Sequence, residues 1–208
     1  MTDPTQDLAL LAEMHNGNAA AFEALYRRHQ AHLYRFALLR CGSEDTAADI
    51  VQEIFLALLK NTLKFDPTRG VLQGFLFGVA RNLVLKHEQS RYRFVANAPT
   101  DDSNELEDML VDPAPEPSQR LLDQEQAENV RRALQLLAPH YRDVVILYEM
   151  HDLSYVEIAQ ICNIDIGTVR SRLSRARAKL VVLLRPDFQE MDKGMQYTLK
   201  AHQQEATL

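Results

Sequence analysis

The chain has 208 residues, with 23 Lys and Arg against 29 Asp and Glu, which gives a formal net charge of −6. No apolar run reaches the ~18 residues of a membrane span, the N-terminus has acids where a secretion signal has basic residues, and two cysteines cannot form a disulfide framework. The sequence therefore predicts a cytoplasmic protein of one or two small domains with no membrane insertion. Taken alone, the acidic balance argues against nucleic acid as a partner.

The first half of the chain predicts four helices. Apolar residues recur there at three- and four-residue spacing, and the two-residue alternation of strands is absent. The predicted helices are Leu8–His15, Ala19–Arg40, Glu44–Asn61 and about Leu72–Arg93. On the second helix, His29 continues the apolar stripe and is expected to be partly buried. Arg40 lies off that stripe and is interpreted as solvated.

The third predicted helix has an apolar side and a polar side. Ser43 precedes two acids and is a plausible N-cap. The apolar side is Ala47, Ile50, Val51, Ile54, Phe55, Leu58 and Leu59. The polar side is Asp45, Thr46, Asp49, Gln52 and Glu53, with Leu56 among them. A solvated helix face is the simplest interpretation, but an apolar Leu56 among acids also suits a docking surface for an Arg-rich partner helix.

A proline-rich acidic segment divides the chain. Residues 99–128 hold ten acids and one base, so this segment carries −9 and the remainder of the chain carries +3. Such a composition cannot bury enough apolar surface to offset the entropy of ordering. We therefore predict a flexible linker at 97–120 between a first domain at 6–96 and a second domain at 121–185. A polar, weakly patterned tail of unknown role follows at 186–208.

The second half predicts a further set of helices and a tight turn. These helices are about Leu121–Leu137, Tyr141–His151, Tyr155–Ile161 and Ile166–Leu184. Ser154 and Glu157 have the spacing of a capping box at the start of the third of them. Asp165 is a good N-cap for the last. Two short helices joined in this way are typical of a helix-turn-helix.

The last predicted helix separates apolar from basic residues. Its apolar positions recur at steps of three and four: Ile166, Val169, Leu173, Ala176 and Leu180. Between positions 166 and 185 there are six bases and no acid. Small residues on the open side would let the helix approach the major groove, where arginines reach base edges or phosphates. Candidate DNA contacts are Thr168, Arg170, Ser171, Arg172, Ser174 and Arg175.

Five runs of the sequence together resemble the bacterial sigma factors of the extracytoplasmic-function group, the minimal two-domain class. They are AAFEALYRRHQAHLYRFALLR, ADIVQEIFLALL, FDPTRG…FLFGVARNLVL, LAPHYRDVVILYEMHDLSYVEIAQ and IGTVRSRLSRARAKL. They cover residues 17–93 and about 125–184, in order, on both sides of the acidic segment. The resemblance implies an all-α fold of two small helical domains joined by an acidic flexible linker, the second containing the helix-turn-helix. It implies a transcription initiation factor and not an enzyme.

The resemblance also implies partners and site residues. The first domain would bind core RNA polymerase and the −10 promoter element, and the second would bind the −35 element through the helix-turn-helix contacts named above. Contacts to the β′ clamp helices of the polymerase would come from Asp45, Asp49, Gln52, Glu53 and Leu56, and the β flap is a further implied partner. Contacts to −10 DNA would come from Lys64, Arg69, Arg81, Asn82, Lys86 and Arg91. No cofactor or metal is implied, whereas an anti-sigma factor or a Ser/Thr kinase is a possible regulator.

Three positions depart from the family pattern. Phe75 stands where a Trp is usual, and Lys86 where an Asp is usual. Thr46 stands where an acid is common, three residues before Asp49. A phosphate on Thr46 would bring about −1.5 to −2 charge and replace that acid, so we hypothesise that Thr46 is a phosphorylation switch. The alternative is that the acids one turn earlier already supply enough charge.

Two other classes of function remain to be weighed. A stand-alone helix-turn-helix regulator explains the second domain, but it leaves the acidic helix face and the FDPTRG…ARN block without a role. Such regulators usually bind palindromes as symmetric dimers, and no clear dimerisation helix is visible. A helical enzyme has less support still, because the sequence shows no nucleophile–base pair, metal cluster or Gly-rich loop.

Overall fold

The computed structural model describes the backbone of residues 4–97 and 119–185, and side chains at residues 5–90 and 125–185. Within these ranges the chain forms eight α-helices and one short 3-10 turn, and no strand. The all-α prediction is confirmed. Most of the predicted linker, and the tail at 186–208, lie outside the described residues, so the linker, the tail and the domain boundaries stay predictions.

Four helices form the first domain. They are α1 (Pro4–His15), α2 (Ala19–Cys41), α3 (Glu44–Leu59) and α4 (Leu72–Asn97), with the 3-10 turn at Pro67–Arg69 before α4. α2 is the central helix and packs against the other three. The predicted helices match these bounds closely, because the apolar spacing that predicted them is a local property of the sequence.

Caps and buried rings fix the helices of the first domain. Ser43 caps α3 as predicted, since its Oγ accepts a hydrogen bond from the Thr46 backbone N–H at 3.2 Å. Phe36 of α2 and Phe77 of α4 are fully buried and meet edge to face at 5.5 Å between ring centroids. The prediction for Leu59 is wrong: it is the last residue of α3, and 46% of it remains exposed.

A buried acid anchors α1 to α2. Asp7 is 2% exposed, and its Oδ1 accepts a hydrogen bond from Arg28 Nη1 at 2.6 Å. Its Oδ2 lies 3.0 Å from Nε2 of His29, which is fully buried, so the predicted burial of His29 is confirmed and exceeded. Burial lowers the pKa of His29, although the neighbouring Asp7 opposes that shift.

The other four helices form the second domain. They are α5 (Gln119–Leu136), α6 (Pro139–Glu149), α7 (Tyr155–Cys162) and α8 (Ile166–Leu183), and α6, α7 and α8 pack against one another. Arg142 is buried and donates hydrogen bonds to the backbone carbonyls of Gln135 and Leu137 at the end of α5. These carbonyls have no partner within the helix, so the guanidinium caps α5.

The two domains pack directly against each other. α6 and α5 contact α2, and α7 contacts α4. The sequence did not predict this contact, because a flexible linker permits many arrangements of the two domains. No helix within 4–97 or 119–185 has the length and apolar character needed to cross a membrane.

Candidate functional site

The polar face of α3 is exposed and continuous. Asp45, Asp49, Gln52 and Glu53 are all exposed, and Leu56 beside them is 43% exposed. The last four of these residues line a shallow groove that continues to Ala57, Lys60 and Thr62 at the end of the helix. Among the described residues, neither Asp49 nor Glu53 has an ion-pair partner. The predicted docking residues therefore share one acidic surface with an apolar side chain in it.

Thr46 lies at the beginning of this surface. It is half-buried in the first turn of α3, and Asp49 is one turn further along the same helix. Glu44 and Asp45 are exposed in the same first turn, and their charges add to burial in raising the pKa of Tyr34 on α2. The two acids therefore already act on this end of the helix. A dianionic group on Thr46 would benefit from the positive end of the helix dipole.

The loop before α4 is held at its base and open at its tip. Phe65 packs on Phe75 at 5.4 Å between ring centroids, so Phe75 fills an aromatic role where the family has Trp. Asp66 accepts hydrogen bonds from the backbone N–H and the hydroxyl of Thr68, which lower the pKa of Asp66. The predicted DNA contacts Lys64 and Arg69 are exposed on either side of this turn.

The predicted −10 contacts on α4 have different surroundings. Asn82 and Lys86 are exposed. Arg81 is half-buried, and its Nε donates a hydrogen bond to Asp143 Oδ2 in the second domain at 2.7 Å. Arg91 belongs to α4, but its side chain is outside the described residues. The structure therefore leaves Asn82 and Lys86 open while Arg81 is engaged by the other domain.

The helix-turn-helix forms as predicted. Ser154 and Glu157 make both hydrogen bonds of a capping box at the start of α7. α7 ends at Cys162, and its C-cap residue Asn163 takes a left-handed backbone conformation with φ of 54°. Asp165 lies at the predicted N-cap of α8, but its side chain makes no capping hydrogen bond.

α8 presents basic and small residues on its open side. Val169, Leu173 and Ala176 of the predicted apolar face are buried and Leu180 is half-buried, but the expected burial of Ile166 is wrong: as the first residue of α8 it is 43% exposed. Of the predicted DNA contacts, Arg170, Ser171, Ser174 and Arg175 are exposed, whereas Thr168 and Arg172 are half-buried. Within the described part of the chain, Arg170 and Arg175 have no ion-pair partner. Their charges are available to a polyanion.

Arg177, later on the same helix, is occupied within the second domain. It pairs with Glu149 of α6 at 2.7 Å, and its guanidinium lies 5.1 Å from the centroid of the Tyr148 ring. Lys179 of the same helix also contacts an aromatic ring of α6, with its Nζ 5.3 Å from the centroid of Tyr141. Among the described residues of α8, Arg170 and Arg175 therefore have no ion-pair partner, whereas Arg177 and Lys179 contact α6.

Sequence reasoning missed a buried ion cluster between the domains. The solvated interpretation of Arg40 is wrong, because the side chain is fully buried. Its Nη1 donates to Glu88 Oε1 and its Nε to Asp143 Oδ1, each at 2.5 Å. Burial opposes the charge of Arg40, but these two carboxylates outweigh it and raise the pKa of Arg40. Asp143 is 103 positions from Arg40 along the chain, so no local pattern could reveal the pair.

Comparisons with known proteins match both halves of the chain. The family model for Sigma-70 region 2 matches residues 25–94, and the model for Sigma-70 region 4 matches residues 127–180. EcfG, an ECF RNA polymerase sigma factor of Rhodopseudomonas palustris, is 34% identical over 81% of this chain and 87% of that protein. SigE, an ECF RNA polymerase sigma factor of Mycolicibacterium smegmatis, is 31% identical over 77% of this chain, and the match spans 60% of the length of that relative.

Solved structures show the same fold. CnrH in complex with the cytosolic domain of CnrY is 28% identical, with a TM-score of 0.62 over 86% of this chain and 97% of that chain. The sigma factor RpoE in complex with the anti-sigma factor NepR from Bartonella quintana is also 28% identical, with a TM-score of 0.62 over 80% of this chain and 98% of that chain.

Regions 2 and 4 in this order, on an all-α chain, define a sigma-70 type of sigma factor. The relatives narrow this class, and the chain belongs to the extracytoplasmic-function (ECF) RNA polymerase sigma factors. Sigma factors are non-catalytic initiation factors that bind core RNA polymerase and promoter DNA. The family therefore assigns this chain to transcription initiation by promoter recognition.

Proposed function

We propose that this chain directs core RNA polymerase to promoters through three surfaces of its own. The polar face of α3 binds the polymerase, the loop before α4 and α4 itself read the −10 element, and α8 reads the −35 element. The observation that carries this proposal is the separation of charge. Among the described residues, Asp49 and Glu53 are exposed on α3 without an ion-pair partner, and so are Arg170 and Arg175 on α8.

The α3 face has the chemistry of a protein-docking surface. Asp49 and Glu53 supply charge for arginines of a partner helix, and Leu56 supplies the apolar contact between them. The β′ clamp helices are the partner that the family resemblance implies for this face, and the β flap is its implied partner for the second domain. The groove beside Leu56 gives such a helix a place to lie.

The DNA-reading surfaces have the chemistry of phosphate and base contacts. Lys64 and Arg69 flank the turn where the family captures a flipped base, and Asn82 and Lys86 lie exposed on α4. On α8, Arg170 and Arg175 reach outward past small side chains, which permit a close approach to the groove. Each DNA-reading surface is small, so each domain alone would bind DNA weakly. Core polymerase would hold both domains at a fixed separation, which raises their combined affinity for promoter DNA.

Run-off transcription with core RNA polymerase tests this function. We expect the full chain to co-elute with core polymerase and to support run-off from its promoters, which start-site mapping after overexpression would identify. The double variant R170A/R175A should lose about 30-fold or more in transcription from a promoter with a −35 element, because good base contacts contribute about 1–3 kcal/mol each. It should still co-elute with core polymerase.

The main alternative predicts a different result. A stand-alone regulator would bind promoter DNA tightly and specifically without polymerase, and it would not co-elute with core enzyme. Either observation on the wild-type chain would contradict the proposal. The CnrH and RpoE structures are complexes with CnrY and with an anti-sigma factor, so an anti-sigma factor is a candidate regulator of this chain as well.

Phosphorylation of Thr46 is the regulatory part of the proposal. Thr46 shares the first turns of α3 with Asp45 and Asp49, so a phosphate would extend the acidic face. A Ser/Thr kinase would be the enzyme responsible. We expect Thr46→Glu to support about tenfold more run-off transcription than Thr46→Ala at limiting core polymerase, since one favourable charge contact contributes about 1.4 kcal/mol. Equal activity of both variants and of wild type would show that Glu44 and Asp45 suffice.

A further inference from the structure

Within the described part of the chain, both side-chain hydrogen bonds of Asp143 on α6 come from the other domain. Its Oδ1 accepts from Arg40 of α2 at 2.5 Å, and its Oδ2 accepts from Arg81 of α4 at 2.7 Å. The side chain is only 2% exposed. Arg40 has a second carboxylate, Glu88, within its own domain. Separating the domains would therefore leave the Arg40–Glu88 pair intact and return Asp143 and Arg81 to water.

Neighbouring contacts extend this junction along both domains. Gln135 Nε2 donates to the backbone carbonyl of Leu39 at 2.9 Å, and Arg142 Nη1 donates to the carbonyl of Arg40 at 2.7 Å. At the other end, the Gln160 side chain of α7 lies 3.5 Å from where a Cβ would stand on Gly70. The first helix of the helix-turn-helix therefore lies against the loop that carries Arg69.

The junction overlaps the proposed −10 surface. Arg81 is one of the predicted DNA contacts, and its Nε donates a hydrogen bond to Asp143. DNA and Asp143 therefore compete for the same guanidinium.

We infer that Asp143 is an interdomain latch: bound to Arg40 and Arg81, it holds the free chain closed with Arg81 of the −10 surface engaged by the second domain. The inference deepens the proposed function and rests on it for the role of Arg81. Productive binding to DNA on core polymerase requires the latch to open. Removing one partner of a buried ion pair is strongly destabilising, so the latch depends on Asp143 carrying its charge.

Asp143→Asn tests the latch in the free, full-length chain. We expect the ratio of closed to open chains to fall by about 100-fold. The radius of gyration measured by small-angle X-ray scattering should increase. Affinity for a short labelled duplex, measured by fluorescence anisotropy, should rise about tenfold, because a binding-competent fraction that was minor becomes dominant.

Glu149→Gln is the matched control. Glu149 is also an acid on α6, but it is exposed and pairs with Arg177 inside the second domain. The two variants make the same change in net charge, so a gain in DNA affinity seen equally with both would not require the latch. Equal compactness and equal DNA affinity of the two variants would overturn the latch.

Two further measurements test whether the effect comes from the junction and whether Asp143→Asn folds. Gln135→Ala removes the hydrogen bond to Leu39 across the junction and should open the chain in the same direction by a smaller amount. Asp143→Asn should retain run-off transcription with saturating core polymerase, which also shows that it folds. If wild type fails in run-off, the proposed function is wrong, whereas the scattering data still decide whether Asp143 closes the chain.

Discussion

Asp49→Lys is expected to weaken association with core RNA polymerase by about 100-fold or more. Asp49 is exposed in the middle of the α3 face and has no ion-pair partner among the described residues. A lysine there would face the basic partner helix proposed for this surface, and like charges brought together at an interface cost several kcal/mol. Fluorescence anisotropy of the labelled chain titrated with core polymerase measures the change.

The fold should tolerate this substitution, because Asp49 makes no buried contact and its neighbour Ile50 faces the core. Glu23→Lys is the matched control: it is also an exposed acid of the first domain, but on α2 and paired with Arg27. We expect the control to bind core polymerase within about threefold of wild type, as surface ion pairs contribute about 0–1 kcal/mol. Wild-type affinity in Asp49→Lys would remove α3 as the docking surface and leave the family assignment unchanged.

The helices and their buried faces could be predicted because they depend on neighbours in sequence. Val169 and Leu173 are buried at the spacing that predicted them, and the Ser154–Glu157 capping box forms as expected. Where the apolar spacing does not predict burial, the residue lies at a helix end. Leu59 fits the apolar pattern of α3, but it is the last residue of the helix, and no described element covers its side chain.

The surroundings of the site residues were only partly predictable. Exposure of Arg170 on α8 follows from charge segregation on one helix. The engagement of Arg81 does not, because its partner Asp143 lies 62 positions away and in the other domain. Arg40 is a stronger case: on a helical projection it lies off the apolar stripe, yet two carboxylates from distant segments make its burial stable.

The net charge of −6 is another property that the sequence explains only in part. As a total it argued against nucleic acid, but the segment at 99–128 alone carries −9 and the remainder of the chain +3. Segment by segment, the sequence separates an acidic face on α3 from a basic α8, and the structure shows both exposed. The sequence could not show that one further acid, Asp143, is buried against the predicted −10 surface.

Acidification is expected to open the junction between the domains through His151. The His151 side chain is 9% exposed, and the ring neighbours of His151, Phe36, Phe77 and His32, all belong to the first domain. Burial lowers the pKa of His151 to about 4, and the nearby charges of His32 and Arg35 add to that shift. In an open chain the ring is in water, and its pKa returns to the ordinary value of about 6.5.

The sign of the effect follows from these two pKa values. Above pH 6.5 the ring is neutral in both forms and has no effect on closure. Below it, the open form takes up the proton first, so closure weakens progressively as the pH falls toward 4. At pH 5 the loss is about 2 kcal/mol, or a shift of about 30-fold toward the open form. Small-angle scattering of the free chain at pH 7.5 and pH 5 measures it.

The His151→Phe variant distinguishes protonation of His151 from protonation of every other titrating group. Neither ring nitrogen of His151 has a hydrogen-bond partner among the described residues, so an apolar ring can replace it without losing a bond. His29 also has a lowered pKa, but it lies against Asp7 within the first domain and is unchanged in the variant. We expect the variant to stay compact at pH 5 where wild type expands. An equal expansion of both would mean that protonation elsewhere opens the junction, because the variant has no group at position 151 that can take up a proton.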